Sequence, residues 1–245
     1  MEYSVDINCD VGEGICNETA LMPYISSCNI ACGAHAGNLE IINETIKLAM
    51  QHSVKIGAHP SFPDKKNFGR KVMLMTPTEL QSSIEAQIIQ VRDVLKKLGG
   101  KLHHVKPHGA LYNLAAVDKK TALVIIKAIK NSANNVYLYV PYNSAIQKLA
   151  LKNKLKIKVE AFADRNYNSD LTLVSRKKDN ALIIEDNLVL THLLKMIIEQ
   201  KVTAVDGVEA EIKADTFCVH GDNPSAVKIL KKITNIFSEK GIKIV

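Results

Sequence analysis

The sequence predicts a single α/β domain built on a parallel sheet. Three observations carry this expectation: strand-like and helix-like patterns alternate along the whole chain, no proline-rich linker divides it, and its 245 residues are 47% hydrophobic. One large core is therefore expected.

Alternation and short apolar runs predict strands over residues 4–8, 28–31, 54–57, 103–106, 136–140, 157–162 and 216–219. Helical spacing fills most of the gaps. Residues 38–52 carry Ile41, Ile42, Ile46, Leu48, Ala49 and Met50 on a helical pattern. Thr76-Pro77-Thr78-Glu79 is a capping box with proline at the first helical position, and its helix stops near Gly99-Gly100. Further helices are expected over 119–131, 144–152, 187–201 and 223–239, and 202–213 reads as a small hairpin or an insertion. The size and seven strands suit a (β/α) barrel, with a doubly wound open sheet as the competing arrangement.

Composition excludes several classes. The first twenty residues hold Asp6, Asp10, Glu13 and Glu18 without a basic start and an apolar run, so neither a secretory signal nor a membrane anchor is expected. Five cysteines at unpaired spacings suit reduced, buried thiols in a cytoplasmic protein rather than disulfides or a zinc knuckle. The formal charge of +7 comes from lysines spread over several helices, with no tryptophan and no basic segment carrying aromatic residues, so nucleic acid is not an expected partner. Only Arg70, Arg92, Arg165 and Arg176 are arginine.

The chemistry gathers at strand ends. In order they supply Asp6, Asn8, Asp10 and Glu13; Asn29 and His35; His59, Asp64 and Arg70; Lys106 and His108; Glu160, Asp164, Arg165 and Tyr167; His220 and Asp222. A parallel sheet brings the carboxyl ends of its strands to one side, so these distant residues are expected to share one mouth. Taken singly, each has a plainer reading: Asn38 caps a helix, Asp6 points into the barrel below the site, and a lone His35 or His59 is a hydrogen-bonded structural residue. Six such strand ends together favour a site. No phosphate loop, dinucleotide fingerprint or nucleophile elbow occurs. Histidines and carboxylates that move protons or hold a divalent metal, beside cations that neutralise a carboxylate or an oxyanion, point to hydrolysis of an amide or ester.

The motifs "DINCDVGEG", "NIACGAHAGN", "GAHPSFPD", "FGRK", "HVKPHGALYN", "EAFADRNY" and "HGDNPSAV", in that order, resemble the LamB/YcsF family of lactam-utilisation proteins, described as the A component of bacterial 5-oxoprolinase. The resemblance implies an irregular seven-stranded parallel (β/α) barrel, similar to polysaccharide deacetylases and some glycosidases. It also implies opening of 5-oxo-L-proline to L-glutamate with ATP hydrolysed to ADP and phosphate, in company with subunits B and C, which would handle the ATP. The chain departs from the family pattern at Ala34 and Asn38 beside His35, at Lys71, and at Leu171 and Ser175 in the loop 168–178.

On this reading Asp10 and Glu13 position or deprotonate water, and His35, His59 and His108 carry protons or ligate a metal of unspecified identity. Lys106 and Arg165 hold a carboxylate or oxyanion, His220 with Asp222 closes the far wall, and Asp164 is a further catalytic candidate that relays protons or holds a metal. Asn8, Asn29 and Arg70 complete the substrate contacts, and Asn8-x-Asp10-x-Gly12 is similar to the metal-binding turn of related barrels. Two other expectations compete: a metal-dependent amide or sugar deacetylase acting alone, and a non-catalytic lactam-binding subunit.

Overall fold

The computed structural model describes residues 3–245. In chain order its elements are β1 (Ser4–Val11), α1 (Glu18–Leu21), β2 (Ser27–Ala31), α2 (Leu39–Gln51), β3 (Lys55–His59), α3 (Pro77–Lys97), β4 (His104–Val105), α4 (Gly109–Val117) and α5 (Lys119–Ser132). Next come β5 (Tyr137–Pro141), α6 (Ala145–Lys152), β6 (Lys156–Phe162), α7 (Asp186–Ile198), β7 (Lys201–Thr203), β8 (Glu209–Glu211), β9 (Thr216–Cys218), α8 (Ala226–Glu239) and β10 (Lys243–Ile244).

Seven parallel strands, β1-β2-β3-β4-β5-β6-β9, follow one another round a ring that β9 closes on β1. The open sheet is thereby excluded. β10, a strand the sequence pattern did not reveal, pairs with the start of β1 at Ser4 and Val5, and β7 with β8 forms an antiparallel hairpin where the sequence suggested a small hairpin or an insertion. No helix of the described residues is long and apolar enough to cross a membrane.

The alternation on β1 sets the plan of the barrel. Val5, Ile7, Cys9 and Val11 are buried and join the apolar core between strands and helices. Asp6, Asn8 and Asp10 point the other way, into the ring. The other strands repeat this, so the barrel interior is filled with Ser27, Asn29, His104, Tyr139, Glu160 and Thr216 rather than with aliphatic side chains. Such a filling is stable only when its polar atoms pair. Asp6 does so low in the ring, accepting from Ser27 Oγ at 2.7 Å and Thr216 Oγ1 at 2.6 Å, as its structural reading expected.

Helix ends are fixed locally. Thr76 and Glu79 form the capping box reciprocally, and Asn38 accepts from Ile41 N–H, which is the plain capping role. The thiols are buried as expected at Cys9, Cys28, Cys32 and Cys218. Cys16 is the correction: it is exposed, in the loop after β1, where Gly14 and Ile15 are exposed as well.

Gly57 explains how so many polar groups fit. A Cβ there would come within 2.1 Å of His104 Nε2, so glycine is what lets the imidazole lie across β3 and reach Asn29 Oδ1 at 2.7 Å. Gly57→Ala should therefore destabilise the fold by about 1–3 kcal/mol or more through overpacking. Urea denaturation checks this, and an unchanged midpoint would contradict it.

Candidate active site

All strands of the ring end at one rim, where a cavity of about 460 Å³ opens. Asp10, Glu13, His59, Arg70, Lys106, His108, Arg165, His220 and Asp222 line it. The sequence-predicted convergence is thus realised for residues drawn from five strand ends. Asn8, Asn29, His35 and Asp164 are not on the lining. They lie beneath or behind it and hold the residues that are.

Lys106 is the centre. Its side chain is 2% exposed, and Nζ sits 3.0 Å from Asp10 Oδ1, 2.8 Å from Glu160 Oε1, 3.2 Å from Asn8 Oδ1 and 3.1 Å from Cys218 Sγ. Burial alone would strip the ammonium of its proton, but Asp10, Cys218 and Glu160 outweigh it and hold the pKa above the usual lysine range. Asp10 is the converse case. Burial opposes its charge, yet His59 and Lys106 hold the carboxyl well below the usual range. Asn29 Nδ2 fixes it by donating to both Asp10 Oδ1 and Asn8 Oδ1 at 2.8 Å.

Proton positions among the histidines follow from their partners, since a carbonyl oxygen can only accept. His59 Nδ1–H donates to the Lys106 carbonyl at 2.7 Å, and His108 Nε2–H donates to the Phe68 carbonyl at 3.0 Å. The remaining nitrogens, His59 Nε2 and His108 Nδ1, face each other at 2.9 Å. Two lone pairs cannot face each other at that distance, so a proton or a cation lies between them, with Asp10 Oδ2 3.5 Å from His59 Nε2. Burial and the neighbouring His59 and His35 push His108 well below the usual histidine range.

Glu13 behaves as an acid. Burial, Asp10 and Asp222 raise its pKa well above the ordinary value. The geometry agrees: Ser61 Oγ–H donates to the Phe62 carbonyl, so it accepts from His35 Nδ1–H, leaving His35 Nε2 bare and 3.3 Å from Glu13 Oε1. His35 itself stacks on His108, with ring centroids 3.9 Å apart.

At the end of β9, His220 Nδ1–H donates to Asp164 Oδ1 at 2.8 Å, and the His220 backbone N–H and Asn223 Nδ2 bind Asp164 Oδ2 at 3.0 Å. His220 is thereby held in one tautomer with Nε2 as the open acceptor at the cavity, the arrangement of a general base with its orienting carboxylate. Gly221 makes this possible: a Cβ there would lie 2.4 Å from the Asp10 carbonyl. Asp222 accepts from Arg70 and from Arg176, and although burial opposes its charge, Arg176, His220 and Arg70 keep it below the usual range.

Two expectations need revision. Arg165 lines the cavity, but Nε donates to the Ala181 carbonyl at 3.1 Å and Nη2 to the Val174 carbonyl at 2.7 Å, so it braces the 166–183 loop instead of offering a free fork. Arg176, which the pattern did not nominate, stands at the rim in its place. Asn8 and Asn29, expected to touch substrate, are fully buried under Asp10 and Lys106. Sequence reasoning also missed Tyr112 and Asn223. Tyr112 falls four residues after His108 on α4, one helical turn along the same face, which is the signal that was available.

The residues also fit a divalent cation. Asp10, His59 and His108 offer Oδ2, Nε2 and Nδ1 within 4.8 Å of one another, and each histidine's other nitrogen is pinned by a carbonyl, as in metal sites. Either a proton or a cation can fill the gap between the two rings.

Acid should destabilise the fold. Burial pushes His35 down to about 3 and His192 to about 4, so the unfolded chain binds more protons from about pH 6.5 down to those values. Stability present above pH 6.5 is lost as pH falls through that window, at up to about 1.4 kcal/mol per pH unit for each group. Thermal midpoints between pH 8 and 4.5 test this, and a flat profile below pH 6.5 would contradict it.

Comparison with known proteins agrees with this architecture. The LamB/YcsF family model matches residues 5–245. The A component of a 5-oxoprolinase from Bacillus cytotoxicus is 43% identical over 98% of this chain and 97% of its own, and that from Campylobacter jejuni is 41% identical over 99% and 97%. The crystal structure of a lactam utilization protein from Thermus thermophilus superposes with a TM-score of 0.92 at 35% identity, covering 98% of both chains. A peptidoglycan deacetylase from Bacillus subtilis, with a TM-score of 0.50 and 10% identity over 100% of this chain and 87% of that one, shares the fold alone. The chain belongs to the LamB/YcsF family.

Proposed function

We propose that this chain is the ring-opening component of an ATP-dependent 5-oxoprolinase, hydrolysing the cyclic amide of 5-oxo-L-proline to L-glutamate in the cytoplasm. The full-length similarity to 5-oxoprolinase components supports the substrate class. The observation that carries the chemistry is the Asp164–His220 pair lining one cavity with buried Lys106. Subunits B and C are the expected partners. The sequence has no phosphate loop, so ATP is assigned to them, activating the lactam before this chain adds water.

Each role follows from the protonation states above. His220 Nε2 takes a proton from water, whose oxygen bonds to the ring carbonyl carbon. Lys106 and the protonated His59–His108 pair neutralise charge developing on the carbonyl oxygen. As the carbon–nitrogen bond breaks, protonated His220 returns the proton it took from water to the leaving nitrogen. Arg70, Arg176 and Lys71 at the rim receive the substrate carboxylate. If Asp10, His59 and His108 hold a divalent cation, it supplies Lewis-acid polarisation of that carbonyl in place of the shared proton.

The test measures glutamate and phosphate separately from 5-oxoproline and ATP, with and without subunits B and C. Glutamate should form only in the full assembly, and Asp10→Asn or His220→Gln should lower kcat by about 10²–10⁴-fold. Metal content of the purified chain, before and after chelation, decides between proton and cation. Full activity in both variants would refute the site.

A further inference from the structure

A second cavity, of about 480 Å³, adjoins the first, and the Tyr112 and Phe162 rings line both. The two differ in charge. Arg70, Lys71, Lys106, Arg176 and Lys177 stand around the first, whereas the second has no cationic side chain on its lining and carries two carboxylates, Glu160 and Asp170.

Two polar atoms of this second lining have no partner. Tyr112 Oη and Glu160 Oε2 are both buried and make no hydrogen bond. Glu160 is fixed by its other oxygen: Oε1 accepts from Lys106 Nζ at 2.8 Å and Asn8 Nδ2 at 2.9 Å, so the carboxylate is held with Oε2 bare. Tyr112 keeps its proton, since burial and the Glu160 carboxylate both raise its pKa. The two groups are therefore neighbours that interact by charge and by a weak contact short of good hydrogen-bond geometry. An acceptor and a donor thus sit side by side without a well-formed bond, in a fold whose other buried side-chain polar atoms are, among the described residues, almost all paired, and such a pair is complementary to a ligand bearing the opposite groups.

A five-membered lactam has those groups. Ring closure forces its amide to be cis, so N–H and C=O lie on one edge. Opening the ring turns the nitrogen into an amino group, which favours surroundings rich in acceptors and free of cations.

We propose that Glu160 Oε2 and Tyr112 Oη form the nitrogen subsite of the enzyme, the carboxylate accepting the lactam N–H and the hydroxyl donating to the adjacent carbonyl. This rests on the lactam-opening function proposed above. Cationic and acidic cavities then divide the substrate, carboxylate to one and nitrogen to the other, with Lys106 and Glu160 at the boundary.

The experiment uses the assembly with its partner subunits and compares 5-oxoproline with its ring-oxygen analogue, a lactone that lacks the N–H, as a competitor. The wild-type assembly should favour the lactam by about 10- to 100-fold, the worth of a hydrogen bond to a charged acceptor. Glu160→Gln, whose amide can donate to the ring oxygen, should shrink that preference to within about threefold. Tyr112→Phe loses only the weak contact with Glu160, so it should still fold, and it should raise KM for the lactam about tenfold while kcat changes less. If Glu160→Gln does not fold, Tyr112→Phe decides alone. Wild-type preference and KM in both variants would overturn the subsite and leave the proposed function standing. A wild-type assembly that neither binds nor opens the lactam would instead remove the proposed function, and the subsite with it.

Discussion

The burial of one ammonium group governs this barrel. Lys106 Nζ is almost wholly out of water, and a lone charge there would cost several kcal/mol after relaxation. Two carboxylates, an amide oxygen and a thiol surround it within 3.2 Å, and that shell keeps it charged. The reverse also holds. Asp10 and Glu160 approach a common point in the interior only because the cation lies between them, so each of the three makes the other two tolerable.

That requirement propagates down the barrel. Asn8 and Asn29 orient the oxygens around Lys106, Thr216 and His104 orient the asparagines, and Asp6 with Ser27 completes the lower end. Polar side chains occupy the ring while aliphatic ones pack beneath the helices, which reverses the usual filling of a parallel barrel. A network of this kind is rigid when fully satisfied, and rigidity is what a site needs to hold charge in place before substrate arrives. Histidine protonation follows the same logic, because backbone carbonyls fix two of the four nitrogens of the His59–His108 pair.

Much of this was readable from the chain. Alternating strands and helices gave the architecture, and the location of ionisable residues after strands gave the convergence that the cavity displays. What periodicity could not distinguish was depth. Asn8 and Asp10 lie on the same face of β1, yet one is under the floor and the other on the lining, a difference set by how far the strand extends; β1 runs to Val11, three residues beyond its expected end. Nor does a one-dimensional pattern say where an arginine's fork is spent. Arg165 and Arg176 look equivalent in sequence, but the carbonyls of Val174 and Ala181 capture the first, and the second meets Asp222. β10 escaped notice because two residues are too short to show alternation.

The claim that Lys106 holds the site together through charge is tested most directly by equilibrium unfolding of Lys106→Met, alone and combined with Asp10→Asn and Glu160→Gln. The account predicts that the single variant loses about 3–5 kcal/mol, from two buried carboxylates left facing each other, and that the triple variant recovers a large part of it. Losses that simply add across the three positions, or a single variant within about 1 kcal/mol of the parent, would contradict it.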